Sequence, residues 1–328
     1  MSAHVLAADV GGTKTDVALY AVAADGGLSV VRAQSFPSAR HSSLESVLAA
    51  FRQPDDTVAA AAFGIAGPVI DGAVVTTNLP WRVVGTAIST ALGGVPVRLL
   101  NDLEATALGA TVLPPEQLHT LNRGIDRVGH QAVIAAGTGL GQAYLFWDGA
   151  RHQPAATEGG HADFAARTDA EIALLRYLHR QFGRASAERV LSGPGLVNIY
   201  RFLTDDQGQV PNPTVPTRMA TEDPAAVVGD AGVRGTCPVC SAAVELFVRV
   251  YGAQAGNLAL TVMAVGGVFV GGGIVGHLLP RLTAGAFMDA FTAKGRYAHL
   301  MQEIPVRIIL DPHTARLGAA TAARHLLE

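Results

Sequence analysis

The chain has 328 residues, 49% hydrophobic and 16% charged, with a formal net charge of −3. That length exceeds what one hydrophobic core usually organises, so two domains are expected, and the apolar content excludes a disordered chain. The near-balanced charge offers no basic field for nucleic acid or anionic lipid, and no apolar run reaches the roughly 20 residues of a membrane span, which points to a small-molecule partner.

The opening residues carry no basic leader and run straight into an apolar stretch, so a cytoplasmic protein is expected. Residues 4–10 and 15–22 flank Gly11-Gly12-Thr13, a pattern that predicts a strand, a tight turn and a returning strand, with a third strand over 28–35. "SSLESVLAAFRQ" has serine caps and helical spacing, and "TVAAAAFGIAGPVI" and "VPVRLLND" read as buried strands, the latter ending in a carboxylate. The same grammar returns over 131–149, "QAVIAAGTGLGQAYLFWDG", as expected of a duplicated fold.

Residues 204–240, rich in Pro, Gly, Asp and Thr, are expected to be the most flexible segment, a loop or surface insertion with room for a short helix in "TEDPAAVVGDA". A long apolar helix over 242–264 follows, then a strand running into the triple glycine of "GGVFVGGGI", the strand "IPVRIILDP" and a closing helix that is expected to return to the first domain. Cys237 and Cys240 form a CxxC pair. With neither a second pair for zinc nor a thioredoxin-like setting, they read as structural or incidental thiols.

Glycine turns let backbone N–H groups approach phosphate oxygens, so Gly11, Gly12, Thr13 and Lys14 form one candidate cradle and Gly137, Thr138 and Gly139 a second. Asp9, just before the first cradle, suits either a turn cap or the magnesium of a bound nucleotide, since a carboxylate beside phosphates needs a cation between them. Asn101 and Asp102 end a buried strand ahead of a helix. They suit either a helix N-cap or an amide that orients a hydroxyl while the carboxylate takes its proton. Glu158, His161 and Glu188 add groups able to bridge vicinal hydroxyls, and a single imidazole without HxH or HExxH spacing speaks against a metal site.

Taken together, "DVGGTKTDVALY", "GIAGPV", "TNLPW", "LLNDLEATALGA", "AAGTGLGQA", "TEGGHADFA", "ERVLSGPGL", "GVFVGGGI" and "KGRYAHLMQEIPVRIILDP" resemble, in order, the bacterial glucokinase family, hexokinase-related sugar kinases of the actin, sugar-kinase and Hsp70 superfamily. The resemblance implies a two-domain, actin-like (ribonuclease-H-like) α/β fold with a central cleft. Its smaller α/β domain would span residues 1–110 plus 312–328 and its larger α+β domain residues 111–311. It implies ATP-dependent phosphorylation of glucose at the 6-hydroxyl, with nucleotide-bound Mg2+ and a homodimer. Asp102 would be the general base, and Asn101, Asp102, Glu158, His161 and Glu188 would hold the sugar, bordered by Gly67 and Asn78. The phosphate loops would be Gly11–Thr13 and Gly137–Gly139, with Gly271, Gly272 and Gly273 at the adenosine. Lys14 and Asp16 depart from residues that many relatives carry, and the 204–240 segment lacks the Cys-rich zinc motif of the related repressor and kinase family. A sugar-sensing regulator of the same fold, or a kinase for another hexose, is the competing expectation.

Overall fold

A computed structural model describes residues 3–76 and 78–328; Thr77 of the TNLPW motif lies outside the described residues. The chain divides into two compact units. One comprises the segment ending at Gln117 with Ala143–Ala156 and Asp311–Glu328, and the other Leu118–Gln142 with Thr157–Leu310.

The first sheet has five strands in the order Leu28–Pro37, Lys14–Val22, His4–Val10, Ala60–Ile65, Val97–Asn101. The first three strands are antiparallel neighbours, and the last two join parallel to His4–Val10 and to each other. Ala60–Ile65 is buried at every residue, as a central parallel strand covered on both faces must be, and its run AAAFGI accordingly shows no alternation. Leu6, Val17, Phe63 and Ile65 pack with Leu44, Phe51 and Trp81 into the core on one face. On the other lies the closing helix Thr314–Arg324, which packs so closely on the helix Asp102–Ala110 that a Cβ on Gly318 would overlap the Ala105 carbonyl and one on Gly109 the Thr314 carbonyl.

The second sheet repeats that plan. Its order is His152–Thr157, Leu140–Trp147, Gln131–Ala136, Gly267–Gly271, Val306–Ile309, with Leu118–Asn122 added antiparallel beyond the last. Both sheets thus place a hairpin with a glycine-threonine tip beside two parallel strands reached by crossovers, which bears out the duplication read from the sequence. The long helix expected over 242–264 runs Pro238–Val262 and supplies Phe247 and Tyr251, with Tyr251 edge-on to both Phe247 and Phe287 in the core of the second unit. The buried Tyr251 hydroxyl lies 3.1 Å from the Ile134 carbonyl and 3.0 Å from that of Gly271, and accepts from the Ala136 N–H at 3.1 Å, so it ties the ends of two parallel strands.

The 204–240 segment differs from expectation. It holds the helices Thr214–Met219 and Pro224–Val233 and the start of Pro238–Val262, and Val227 and Val228 are fully buried in the core. Pro224 and Pro238 begin helices instead of breaking them, and Asp223 caps Pro224–Val233 by accepting from the Ala225 N–H at 3.1 Å. No single helix among the described residues is long and apolar enough to cross a membrane.

Candidate active site

In the first unit, the first strand delivers Asp9 opposite Asp16 of its hairpin partner and Gly64 of the parallel neighbour. Burial, reinforced by the carboxylates of Asp102 and Asp16, pushes Asp9 up to about 6 against the pull of Lys14 and Arg316. The Gly11–Thr13 turn is closed by the Gly11 N–H donating to the Lys14 carbonyl at 3.0 Å. Ser38 braces it from outside, its Oγ donating to the Gly11 carbonyl at 2.7 Å and its N–H to the Thr13 carbonyl at 3.1 Å. Gly12 is required by close approach, because a Cβ there would stand 2.7 Å from Asn78 Cβ, and this brings Asn78 to the turn. The half-exposed Lys14 is engaged by Asp16 at 2.6 Å, a bond that holds the Asp16 carboxyl low although burial works upward on it.

Asn101 and Asp102 divide their work differently from the simplest reading of an Asn-Asp pair. Asn101 is the N-cap of Asp102–Ala110, its Oδ1 accepting from the Leu103 N–H at 2.9 Å, while Glu104 accepts from the Asn101 N–H at 2.9 Å to complete a capping box. Its Nδ2 donates to the Gly67 carbonyl at 3.1 Å, fastening the loop in which Gly67 takes φ +134. With Asn101 doing the capping, Asp102 is not the cap residue but the first residue of the helix, half-buried, with Oδ1 accepting from the Leu103 N–H at 2.9 Å. Asp9, the Gly11–Thr13 turn, Asn78, Gly67, Asn101 and Asp102 therefore converge at the carboxyl ends of the first sheet's strands.

In the second unit the Gly137 N–H donates to the Gly139 carbonyl at 2.8 Å, and the Gly137 carbonyl accepts from the Gly193 N–H at 2.8 Å. Gly193 begins the helix Gly193–Arg201, capped by Ser192, and the amide of Gly273, first residue of Gly273–Leu282, lies 3.9 Å from where a Cβ on Gly137 would stand. Two helix N-termini thus meet the turn, which is the arrangement that attracts phosphate. A cavity of about 890 Å³ opens from it, lined by Gly137, Thr138 and Gly273 and then by Arg201, Arg218 and Asp230. That volume is within the range of small-molecule sites. Arg218 holds its wall together, donating to both Glu222 oxygens at 2.8 and 2.7 Å and to Asp230 at 3.2 Å.

Of the three glycines at 271–273, only Gly273 borders this cavity. Gly271 is a buried strand residue, and Gly272, at φ +97, is pressed onto the backbone of Ala136. The cavity wall from 193 to 233 was absent from the sequence-based site, although "SGPG" and "EDP" carry helix-start signals, a cap residue ahead of a proline, that would have found it.

Glu158, His161 and Glu188 come together at the same turn. His161 Nε2 stands 3.9 Å from Glu158 Oε2 and its Nδ1 3.8 Å from Glu188 Oε1. The other oxygen of Glu188 accepts from the Leu140 N–H at 3.0 Å, and a Cβ on Gly139 would come within 2.6 Å of it. One carboxylate therefore touches both the glycine turn and the histidine.

Sheets of this order, each with a glycine-threonine hairpin tip, together with a nucleotide-sized cavity, define a two-domain kinase of the actin-like class. The glucokinase family model matches residues 6–326, and the chain belongs to that family. It is 38% identical to a glucokinase of Synechocystis sp., covering 98% of each chain, and 36% identical to one of Nostoc punctiforme, covering 98% of this chain and 99% of the relative. Among solved structures it resembles a glucokinase from an Antarctic psychrotroph, with TM-score 0.86 and 29% identity over 99% of this chain and 100% of the other. A Balamuthia mandrillaris glucokinase in complex with glucose shares the fold at TM-score 0.81 and 20% identity, covering 98% and 94%.

Proposed function

We propose that the chain transfers the γ-phosphate of ATP to the 6-hydroxyl of glucose, giving glucose 6-phosphate and ADP. The observation that carries this reading is Glu188, one oxygen of which is bonded at the Gly137–Gly139 turn while the other faces His161, so that a phosphate-type turn and a hydroxyl-binding set share one residue. The kinase domains are taken as 1–110 plus 312–328 and 111–311, which departs from the two compact units chiefly in leaving Ala143–Ala156 with the larger domain.

Phosphoryl transfer asks the protein for positioning and charge stabilisation more than covalent chemistry. The amides of the Gly137–Gly139 turn and the N-termini at Gly193 and Gly273 would bind the phosphates, with the nucleoside in the adjoining cavity, and Gly11, Gly12 and Thr13 would contribute the second cradle. Glu158, His161 and Glu188 would hold vicinal sugar hydroxyls. Asp102 would accept the proton of the attacking oxygen, and Asn101, whose Nδ2 keeps a second N–H beyond the one given to Gly67, would orient a sugar hydroxyl beside that carboxylate. Asn78 and Gly67 would border the sugar.

Asp9, its carboxyl raised to about 6 by burial and by the neighbouring carboxylates, would face a divalent cation carried in with the nucleotide. Mg2+ bound there with the nucleotide would neutralise phosphate charge. A cytoplasmic homodimer completes the proposal, with sedimentation velocity as the check on assembly. The activity itself is tested by adding glucose to the purified chain with ATP and Mg2+ and following ADP: glucose-dependent release is expected. Release that ignores the sugar would leave an ATPase, and no release at all, with sugar still bound, would leave a sugar sensor.

A further inference from the structure

Cys237 and Cys240 take no part in the proposed reaction, yet they do not have the surroundings of incidental thiols. Both are free and fully buried, and their side chains are hydrogen-bonded to each other. Cys237 is the N-cap of the long helix Pro238–Val262, and Cys240 sits in its first turn. Residues three apart across a helix start lie on one face of the first turn, as the hydrogen bond between the two thiols reflects.

The two thiols are unequal. Burial works upward on Cys237, but the N–H groups of Asn212, Cys240 and Val239 bring it below the ordinary thiol range, whereas burial pushes Cys240 up to about 12. Cys237, though buried, is flanked by surface residues: Thr236 and Pro238 on either side are exposed, as is Gly235, which at φ +70 has open space where a Cβ would stand. The exposed Gly235–Thr236 turn is therefore the side from which a small reagent would approach Cys237, while Cys240 lies one helical turn further in.

The pair also sits at a junction of the cavity wall. A Cβ on Gly232 would stand 2.5 Å from the Cys240 carbonyl, Ser241 Oγ donates to the Gly232 carbonyl at 3.2 Å, and Arg281 donates to the same carbonyl at 2.7 Å. Through Gly232 the first turn of the long helix is fixed to Pro224–Val233 and to Gly273–Leu282, both of which line the cavity.

We propose that Cys237 and Cys240 form a reversible dithiol–disulfide site that reacts with small-molecule disulfides and is coupled through Gly232 to the cavity. The Cys237 thiolate attacks one sulfur of a small disulfide RSSR, the S–S bond breaks, and RS⁻ leaves and takes up a proton. Cys240 then gives up its proton and attacks the Cys237 sulfur of the mixed disulfide, expelling a second RS⁻. The dithiol loses two hydrogens in all, and the small disulfide is reduced to two RSH.

The native full-length protein, incubated with glutathione disulfide at neutral pH, is expected to lose the mass of two hydrogens and to regain it with dithiothreitol. Cys240→Ser should trap glutathione on Cys237, while Cys237→Ser should leave Cys240 unmodified. Absence of the disulfide in native protein, or trapping on Cys240 instead of Cys237, overturns the site. Coupling to the cavity rests on the nucleotide reading above: quantitative oxidation should shift the KM for ATP roughly threefold while the KM for glucose stays constant, within the usual range of such couplings. An unchanged KM for ATP in fully oxidised protein overturns the coupling. Reduced protein that binds no ATP by calorimetry would instead overturn the nucleotide reading and leave the disulfide result standing.

Discussion

Asp102 and Asp9 are both acidic residues at strand ends, but their surroundings ask opposite things of them. As the proposed general base, Asp102 should be essential for turnover and dispensable for sugar affinity. Asp102→Asn is expected to lower kcat by about two to four orders of magnitude with a near-normal glucose Kd by calorimetry, and near-normal turnover would rule the role out. Asp9 has its carboxyl raised by burial and by neighbouring carboxylates, so its contribution to stability is full below 3.8 and is lost as pH rises through about 6. Asp9→Asn should therefore stabilise the ligand-free protein by about 1–3 kcal/mol at pH 7, with the gain vanishing towards pH 4. Equal thermal midpoints at pH 7 would show that Asp9 bears no such strain. Gly139 offers a third test. A methyl group there would displace Glu188 from the Leu140 N–H, and Gly139→Ala is expected to raise the KM for glucose by roughly tenfold, the scale of one lost charged hydrogen bond. An unchanged KM would separate Glu188 from the sugar.

Elements fix these residues through contacts that only glycine permits. The Thr314–Arg324 and Asp102–Ala110 helices touch backbone to backbone at Gly318 and Gly109, so Gly318→Ala should cost about 2–4 kcal/mol in urea unfolding and lower kcat by shifting the helix that begins at Asp102. Strands and turns were legible in the sequence because their signals are local: apolar runs bounded by glycine, repeated in two places. The glycine turns and the Glu158, His161 and Glu188 set were legible for the same reason together with the family resemblance. The cavity wall was not, because Pro and Gly over 204–240 read as loop chemistry when, in the fold, Pro224 and Pro238 open helices and Gly232 permits close packing. The cap at Asn101 was also hidden, since Asn and Asp are equally good caps and only the Gly67 carbonyl and Glu104 decide between them.

For the molecule as a whole, binding energy and stability should be linked. A nucleotide at about 100 times its Kd adds roughly 2.7 kcal/mol to the folded state, so ATP with Mg2+ should raise the thermal midpoint by a few degrees. That rise should be larger in the parent protein than in Asp9→Asn, because only the parent has a carboxylate strain for the cation to relieve. An identical shift in both proteins would place the cation away from Asp9. The two sheets carry the same strand plan with different residues at their tips, Asp9 and Asp102 in the first and a glycine turn beside Glu188 and His161 in the second, so one plan serves two chemical tasks.

Tyr251 shows how far the proposed phosphate turn depends on a residue buried in the core. Its single hydroxyl proton is shared between the carbonyls of Ile134 and of Gly271, the residue before Gly272, while its oxygen receives the N–H of Ala136, the residue before the Gly137–Gly139 turn. The oxygen therefore acts as a clock for local opening. Hydrogen exchange at the Ala136 amide times the release of the phosphate turn from the core, and Tyr251→Phe, which removes one atom, should speed that clock without altering any surface the substrates touch.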